Sequence, residues 1–479
     1  MDSKAAAFTS SVNHDKRLIE PVIMINIAHV LSLTRDGVLD AETGVKILDA
    51  LRSAPTNLQF DPSLEDVHMN VEEYVLKASG EAGGFLNLGK SRNDQVSTAL
   101  RIVTRDEILK IVGCTLNLVD SILRVAAENI NLKMPGYTHL QVAQPTTVAH
   151  YLLCYAEALL RDSQRLIDCY DRVNLSPMGA AAFSGTTVPV NRKTVAKLLG
   201  FDGIVENSMD AVSSRDFIIE FLAGALITQL DLSRFAEDMI FFSSQEASYI
   251  DPPDELSSTS SIMPQKKNQV VLEIVRAKAG TILGYIVSSA AILKGLPQSY
   301  NLDLQEFNSN VWKASDDLTC SLELLAKFVS GVKFRKEALE RGAASGFSAA
   351  AELAEYLTIK LGLPFRTSHH IVGAVASNLP QFYTFDDVKA LLVKEARVRG
   401  ISITENQLPA SYEVFASIAN KKTIGSPSPA QVKLMMNNLK KETTRIFEWT
   451  EQRSQNLRQA SKALALETDR IIKEVRKKC

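Results

Sequence analysis

The sequence has little cysteine, and its cysteines form no recognisable pattern. The five residues are scattered and include no C-x-x-C pair: Cys114, Cys154, Cys169, Cys320 and Cys479. An odd, unpaired set argues against a disulfide framework and against a cysteine zinc site. It is typical of a reducing compartment, and we therefore expect a cytoplasmic protein.

An excess of charge of either sign is also missing. Lys and Arg total 53 against 55 Asp and Glu, which gives a formal charge of -2. Such a balance provides no global basic field for nucleic acid or for an acidic membrane, and we find no basic stretch interleaved with aromatic residues. We expect no nucleic-acid partner, and any anion site has to be local.

No apolar run is long enough to predict a membrane span. The first residues, MDSKAAAFTSSVNHDK, contain no apolar segment of the kind found in signal peptides. The most apolar stretch, FIIEFLAGALITQL, is interrupted by Glu220 and falls short of the ~20 residues that a span requires. We expect no membrane partner. With 479 residues, 46% of them hydrophobic, the chain can bury the cores of two or three domains.

Proline is absent between Pro62 and Pro135, and proline breaks helices. From Asn93 to about Asn131 apolar residues recur every three to five positions, which predicts one long amphipathic helix. Similar stretches predict four more long helices: one after Pro145, one from Ser213 to Ile250, one from Asn268, and one from Asn308 to Ser330.

These patterns predict an all-α protein with three helical domains. We expect a mixed helical domain over residues 1–88 and an elongated long-helix bundle over 89–339. For residues 340–479 we expect a C-terminal domain of short helices, because glycines and prolines, including Pro427 and Pro429, punctuate that region.

Three polar clusters in the middle of the chain are not required by helix packing. They are KSRNDQ (90–95), GYTHLQVAQP (136–145) and TSSIMPQKKNQ (259–269), the last followed by Glu273. Each precedes a long proline-free segment. Because a helix N-terminus offers free N–H groups and a partial positive charge, it can bind a carboxylate. Three such positions suggest a substrate with several carboxylates.

Each cluster also has a purely structural interpretation. Residues 91–94 could be an ordinary helix cap with a surface arginine. His139 could be a loop histidine with satisfied hydrogen bonds, and residues 257–268 could be a disordered connector. Their joint occurrence in one chain favours a functional site.

The third cluster resembles the SSxMPxKxN signature of the fumarase/aspartase superfamily. Together with KSRNDQ, the stretches MPGYTHLQVAQP, NSMDAVSSRDF, SYNLDLQE and GFSAAAELAEYL resemble the argininosuccinate lyase family, from about Phe8 to about Lys433. The resemblance implies cleavage of argininosuccinate to arginine and fumarate by β-elimination, a step of arginine biosynthesis, without metal or organic cofactor. It also implies a homotetramer with a multi-subunit helical core and active sites shared between subunits.

The resemblance further assigns chemical roles. Ser260 takes the proton, which requires amide donors and a nearby cation, and Lys266 and Asn268 stabilise the dianionic intermediate. Either His139 or Thr138 protonates the leaving nitrogen, and Glu273 pairs with His139. The expected substrate-binding residues are Ser91, Arg92, Asn93, Asp66, His68, Gln141, Arg215, Asn268, Tyr300 and Gln305. For Arg215 an ion pair at a helix start is the structural alternative.

Several positions depart from the usual family pattern. Thr259 stands where glycine is common, Lys90 where arginine is common, and Gln269 where proline is frequent. Asn308 occupies a position that often holds lysine. We expect one contact to a substrate carboxylate to be lost or moved.

Chain geometry bears on how such a site is assembled. A helix over residues 94–131 is about 57 Å long, and the eight residues that follow can return at most about 27 Å before His139. Asn93 and His139 of one chain therefore stay at least about 30 Å apart. If both contact one small substrate, they come from different chains.

Two other functions remain compatible with the sequence. One is another lyase of the superfamily, acting on adenylosuccinate, aspartate or fumarate; Tyr300, Gln305 and SRNDQ favour the guanidino substrate instead. The other is a crystallin-like structural protein without catalysis. The presence of Ser260, His139, Lys266 and Glu273 favours an active enzyme.

Overall fold

The computed structural model describes residues 2–61, 63–380, 383–411 and 417–477, so Cys479 lies outside the described residues. The helices are α1 Ser3–Thr9, α2 Ile19–Arg35, α3 Ala41–Ser53, α4 Val67–Ser79, α5 Arg92–Glu128, α6 Val148–Val173, α7 Arg192–Leu198, α8 Ser208–Ser213, α9 Asp216–Ser243, α10 Val270–Leu293, α11 Phe307–Gly331, α12 Lys336–Ala344, α13 Ala350–Leu361, α14 Phe365–Asn378, α15 Phe385–Val398 and α16 Pro429–Arg476. The strands are β1 Lys133–Thr138, β2 Gln141–Thr147, β3 Leu175–Ser176, β4 Gly203–Ile204, β5 Ile250–Asp251, β6 Ser258–Thr259, β7 Lys267–Asn268 and β8 Lys333–Phe334.

The predicted helical architecture is confirmed. Helix α5 runs for 37 residues, or about 55 Å, and begins at a capping box in which the Ser91 side chain and Asp94 satisfy each other's backbone amides. Helices α6, α10 and α11 occupy the other predicted stretches. Helix α9 stops at Ser243, short of the expected Ile250, because the chain turns through Ser248 (φ 50°) into strand β5.

The long helices form one bundle with a continuous apolar core. Helix α10 packs along α9, and α5 packs against both α6 and α11. The core includes large, fully buried side chains such as Phe217, Phe221, Phe307 and Phe328. Helices α2, α3 and α4 add their buried apolar residues to the same core at the end where α5 begins. We call this the head end of the bundle.

The expectation of only short helices after residue 340 is wrong for the last helix. Helices α12 to α15 are short, and a separate apolar core around Leu353, Leu357 and Leu392 holds α13 to α15. Helix α16, however, has 48 residues and packs its buried side chains into the main core. The three domain boundaries stay a prediction.

Short strands supplement the helices as two-stranded ribbons within the described part of the chain. The longest ribbon pairs β1 with β2 as an antiparallel hairpin, with Thr138 opposite Gln141. A shorter ribbon pairs β6 with β7 on either side of residues 260–266. Both ribbons carry residues of the polar clusters.

The sequence predicts no membrane span, but one described segment has the length and composition of one. Residues 15–35, which include α2, contain an 18-residue stretch with a mean hydropathy of 1.3, but 72% of that stretch is buried inside the protein. Burial of this degree is typical of a core helix.

Candidate active site

Ser91, Arg92 and Asn93 lie at the first turn of α5, as the KSRNDQ cluster predicted. Ser91 is the N-cap, so its structural interpretation is confirmed. The Asn93 amide donates to the Ala182 carbonyl at 3.0 Å. The carboxylate of Asp94 is fully buried and accepts backbone N–H groups of Gly179 and Ala181 at 3.0 and 2.9 Å. These bonds fix the 179–182 loop against the start of α5.

Asp66 and His68 lie beside this helix start. Asp66 caps α4 and is 3.3 Å from the Arg92 guanidinium, so Arg92 is not a free surface arginine. His68 is buried, with Nδ1 3.3 Å from the Gln95 side-chain oxygen and Nε2 without a hydrogen-bond partner in the described structure. Burial lowers the pKa of His68 to about 4, so this ring is neutral at physiological pH.

Arg215, Tyr300 and Gln305 complete the head-end group. Arg215 is 1% exposed, and its Nη1 donates to the Ser214 carbonyl at 2.8 Å and to Ser97 at 3.4 Å. It forms no ion pair within the described residues, so the alternative interpretation of Arg215 is wrong. Burial lowers the pKa of Arg215 to about 10, and the nearby Tyr300 opposes this shift. The Arg215 Nε and Nη2 atoms have no partner in the described structure.

Two of the departing positions face inward at the head end. Lys90 is buried, donates to Asn26 and Asn87 at 2.5 and 2.9 Å, and has its pKa lowered to about 7 by burial. Asn308 is also buried and donates weakly to Asp15 at 3.5 Å. A neutral amide therefore lies beside Asp15, where a lysine would have placed a cation.

Thr138, His139 and Gln141 lie at the tip of the β1–β2 hairpin, and all three are exposed. The expectation that this cluster lies at a helix N-terminus is wrong, because α6 begins only at Val148. His139 and Leu140 both have left-handed backbone conformations, with φ of 54° and 57°. Such angles cost energy in residues with bulky side chains, so contacts elsewhere must hold the turn.

Ser260 lies at the start of a tight loop closed by the β6–β7 ribbon; we call residues 260–266 the serine loop. Its Oγ accepts the backbone N–H groups of Ile262 and Met263 at 3.3 and 3.1 Å. Its own N–H donates to the Lys266 carbonyl at 3.2 Å. The interpretation of this stretch as a disordered connector is therefore wrong.

The two lysines of the serine cluster have different surroundings. The Lys266 ammonium is exposed and donates to the Asn268 side chain at 2.5 Å. Lys267 points the other way and pairs with Asp251 and Asp254 at 3.2 and 2.6 Å. Lys267 thus holds the base of the loop, a role that the sequence analysis did not assign. Glu273 is exposed in the first turn of α10.

Within one chain the expected site residues form two separate groups. The Tyr137 ring packs edge-on against Phe241 near the end of α9, with ring centroids 5.3 Å apart, whereas Arg215 immediately precedes the start of α9. The 28 residues of α9 span about 42 Å. The serine loop and Tyr300 are likewise separated by the 24 residues of α10, about 36 Å. We call the end that carries the hairpin and the serine loop the hairpin end.

Two further residues position site residues but were not predicted from the sequence. Asp94 and Gln95 lie within the KSRNDQ cluster, and their hydrogen bonds position Ser91 and His68. A carboxylate three residues after a serine is a capping-box signal and could have identified Asp94. No sequence signal predicts that Gln95 reaches His68, since that contact depends on how α4 packs on α5. The chemical roles of all these residues stay predictions.

Family models, related sequences and solved structures all show that the chain is similar to lyases. The family model described as Lyase matches residues 2–284, and the one described as Argininosuccinate lyase C-terminal matches residues 347–405. Argininosuccinate lyase of Methanothrix thermoacetophila is 41% identical over 91% of this chain and 90% of its own length. That of Azotobacter vinelandii is 41% identical over 90% of this chain and 94% of its own. A crystal structure of EDDS lyase in complex with formate superposes with a TM-score of 0.88 at 27% identity, covering 96% of this chain and 93% of that one.

Proposed function

The chain belongs to the argininosuccinate lyase family, within the fumarase/aspartase superfamily of enzymes, and from that premise we propose that it cleaves argininosuccinate to arginine and fumarate. The observation that carries the proposal is the environment of Ser260. A hydroxyl that accepts two amide N–H groups at the edge of a loop, six residues before an exposed ammonium, is prepared to bear negative charge.

In this proposal Ser260 removes a proton from the carbon next to a carboxylate of the succinyl group. A carboxylate acidifies its neighbouring C–H only weakly, so the resulting dianion needs preformed cationic and N–H donors. Lys266 supplies the cation, and its 2.5 Å hydrogen bond to Asn268 fixes where the ammonium points. The C–N bond then breaks, and the electron pair of the carbanion forms the double bond of fumarate.

The leaving guanidino nitrogen takes a proton from the hairpin tip. His139 and Thr138 are adjacent and exposed there, and either can donate. Glu273 has no contact with His139 within the described chain, so we propose that the pair forms between subunits. The hairpin tip of one subunit would then lie over the α10 start of another.

Head-end residues bind the carboxylates and orient the substrate. Two guanidinium nitrogens of Arg215 have no hydrogen-bond partner among the described residues, which is costly for a buried group unless a ligand satisfies them. Arg92, held by Asp66, offers a second cation at the positive end of α5. Because Asn308 supplies no charge, these two arginines carry more of the anion binding.

We further propose a homotetramer with shared active sites. Two features support it: head-end and hairpin-end residues lie tens of ångströms apart in one chain, and α10 exposes an apolar face. Exposed apolar side chains flank that face, with Ile274 on one side and Leu283 and Val287 on the other, and Leu230 of α9 is also exposed. An apolar face of two long helices is typical of a buried subunit interface. A cytoplasmic location and a place in arginine biosynthesis complete the proposal.

The activity test incubates the purified protein with argininosuccinate and follows the ultraviolet absorbance of fumarate. We expect fumarate and arginine in equal amounts. Adenylosuccinate, aspartate and malate serve as alternative substrates, and activity with one of these alone would replace the substrate assignment. If a folded oligomer forms no fumarate from any of these four compounds, the result would favour the crystallin-like alternative.

The shared-site test mixes two inactive variants. Ser260→Ala and Asn93→Ala each remove one essential group, and we expect losses of ~10²-fold or more for each. After denaturation and joint refolding, some sites of a hybrid contain neither change, so activity should return to about a quarter of the wild-type level if the two residues come from different chains. A Ser260→Ala variant mixed with itself is the control, and no recovery in proven hybrids would contradict shared sites.

A further inference from the structure

The hairpin that carries Thr138 and His139 is strained at its tip and is held on two sides. On the β1 side the Tyr137 hydroxyl is hydrogen-bonded to the Tyr249 hydroxyl at 2.7 Å, next to the end of α9. On the β2 side the Gln144 amide donates to a carboxylate oxygen of Glu352 at 3.1 Å. The first contact ties the hairpin to the bundle, and the second ties it to α13.

The contact of Glu352 with Gln144 is stronger than that of a typical surface carboxylate, because Glu352 is buried and has a second donor. It is 9% exposed, and the oxygen that accepts from Gln144 also accepts the Lys421 ammonium at 2.5 Å. Charge-assisted hydrogen bonds of this kind are roughly twice as strong as neutral ones, and burial reduces solvent screening. The neighbouring side chains Leu353 and Leu357 lie in the C-terminal core, which fixes the position of the carboxylate.

The hairpin itself has little freedom to compensate. Its register shifts between Pro135 and Tyr137, which interrupts the ladder next to the tip. A side chain at Gly136 would lie 2.5 Å from the Gln144 carbonyl, so the two strands approach as closely as glycine allows. Movement of β2 at Gln144 is therefore transmitted to His139 and Thr138, only five and six residues away.

We propose that Glu352 is a positioning residue for the reaction. By holding Gln144, and by being held by Lys421, it fixes the hairpin so that the tip presents its proton donor in the correct place. The proposal rests on the proposed lyase activity and on the hairpin as the source of the proton. Glu352 acts through the hairpin and does not contact substrate itself.

The kinetic test compares Glu352→Ala with the matched control Glu355→Ala, one turn further along α13 and exposed. We expect kcat of Glu352→Ala to fall roughly ten- to a hundredfold, as small misplacements of catalytic groups do, with KM changed less than about threefold. Glu355→Ala should retain wild-type kcat. Glu352→Gln, which keeps an acceptor for Gln144, should recover part of the loss.

A double variant separates positioning from general damage to the fold. Gln144→Ala changes an exposed side chain and should fold normally, yet we expect it to reproduce the kcat loss. Glu352→Ala with Gln144→Ala should then be no worse than Glu352→Ala alone, because both changes break one contact. Fully additive losses, or a normal kcat for Gln144→Ala, would overturn the proposal.

A readout without substrate keeps this proposal distinct from the proposed function. Amide hydrogen exchange over residues 133–147 should be faster in Glu352→Ala than in wild type, and unchanged in Glu355→Ala. If the wild-type protein cleaves no argininosuccinate, the proposed function fails whatever the exchange shows. If exchange of the hairpin is the same in all three proteins, the positioning role of Glu352 fails whatever the activity.

Discussion

Among single residues, Ser260 receives its hydrogen-bond donors from its own loop. The two N–H groups that its oxygen accepts come from residues two and three positions later, so the arrangement needs no other part of the chain. Arg215 is the opposite case, because Ser97 on α5 and the end of α8 have to meet before its guanidinium is buried. Hydrogen bonds within a short loop can be inferred from the sequence. The surroundings of Arg215 cannot, because they come from distant parts of the chain.

The buried residue His29 makes the stability of the folded protein depend on pH. Burial, assisted by the nearby charge of Lys90, lowers the pKa of His29 to about 3. His29 is fully buried, with Nε2 2.8 Å from the Leu88 carbonyl. The unfolded chain binds a proton at its ordinary pKa of about 6.5, whereas the folded protein does not. The stabilisation is complete above pH 6.5 and is lost as the pH falls towards 3.

We predict that His29→Gln reduces this acid sensitivity. Glutamine can donate to the Leu88 carbonyl but does not titrate. Between pH 6.5 and 4.5 the free energy of unfolding of wild type should therefore fall by about 2 kcal/mol more than that of the variant. Denaturant titrations at several pH values measure this difference. His14→Gln, at an exposed histidine, is the control, and equal slopes for wild type and His29→Gln would contradict the prediction.

At the scale of elements, proline explains both a success and a failure. The proline-free stretch correctly predicts α5. Pro427 and Pro429 wrongly predict breaks, because α16 begins at Pro429 itself. Proline is compatible with the first turn of a helix, where its missing N–H has no intrahelical acceptor. The position of a proline relative to a helix start therefore matters more than its presence.

The hairpin was missed for a related reason. Its turn residues, His139 and Leu140, are not the asparagine and glycine that normally signal such a turn, and both strands contain prolines. Strand β1 packs against α12, which follows it by about 200 residues in sequence. Tertiary contacts therefore form this ribbon against its local preference.

We predict that the second half of α16 is needed for the stability of the main core. Leu464 is 4% exposed, and Leu466, two residues on, is 58% exposed. Leu464→Ala should lower the free energy of unfolding by about 2 to 5 kcal/mol, whereas Leu466→Ala should change it by less than about 0.5 kcal/mol. Chemical denaturation of both variants is the measurement. Similar values for the two would mean that α16 does not share the core.

For the whole molecule, the most unusual surface is the exposed face of α10, which leaves apolar side chains in contact with water. Of its 24 residues only Leu272, Val275, Ala279, Ile282 and Ser289 are buried, although the helix is rich in apolar side chains. Leaving Ile274 and Val287 in water forfeits roughly 1 kcal/mol or more each. Association of subunits along this face would recover that free energy and bring the two ends of different chains together.

We predict that Val287→Glu disrupts assembly and, with it, activity. A buried carboxylate in an apolar interface is costly, so light scattering should report smaller species, and fumarate production should fall in proportion. Val287 is more than three turns from Glu273, so the change does not touch the proposed catalytic residues directly. Val398→Glu, at an apolar residue of α15 that is even more exposed, should leave both properties unchanged. A fully assembled Val287→Glu protein would argue against this interface.

Local sequence patterns are enough to predict the long helices, the start of α5 and the loop at Ser260, because periodicity, capping and short loops depend on neighbours a few positions apart. They also limit how one chain can be arranged, since helix length alone separates Asn93 from His139. Three features depend on the packed chain: α16 joins the main core, Arg215 is buried with no ion pair among the described residues, and Glu352 contacts the hairpin at Gln144. Those contacts join residues tens to hundreds of positions apart, and packing, which no local pattern encodes, selects them.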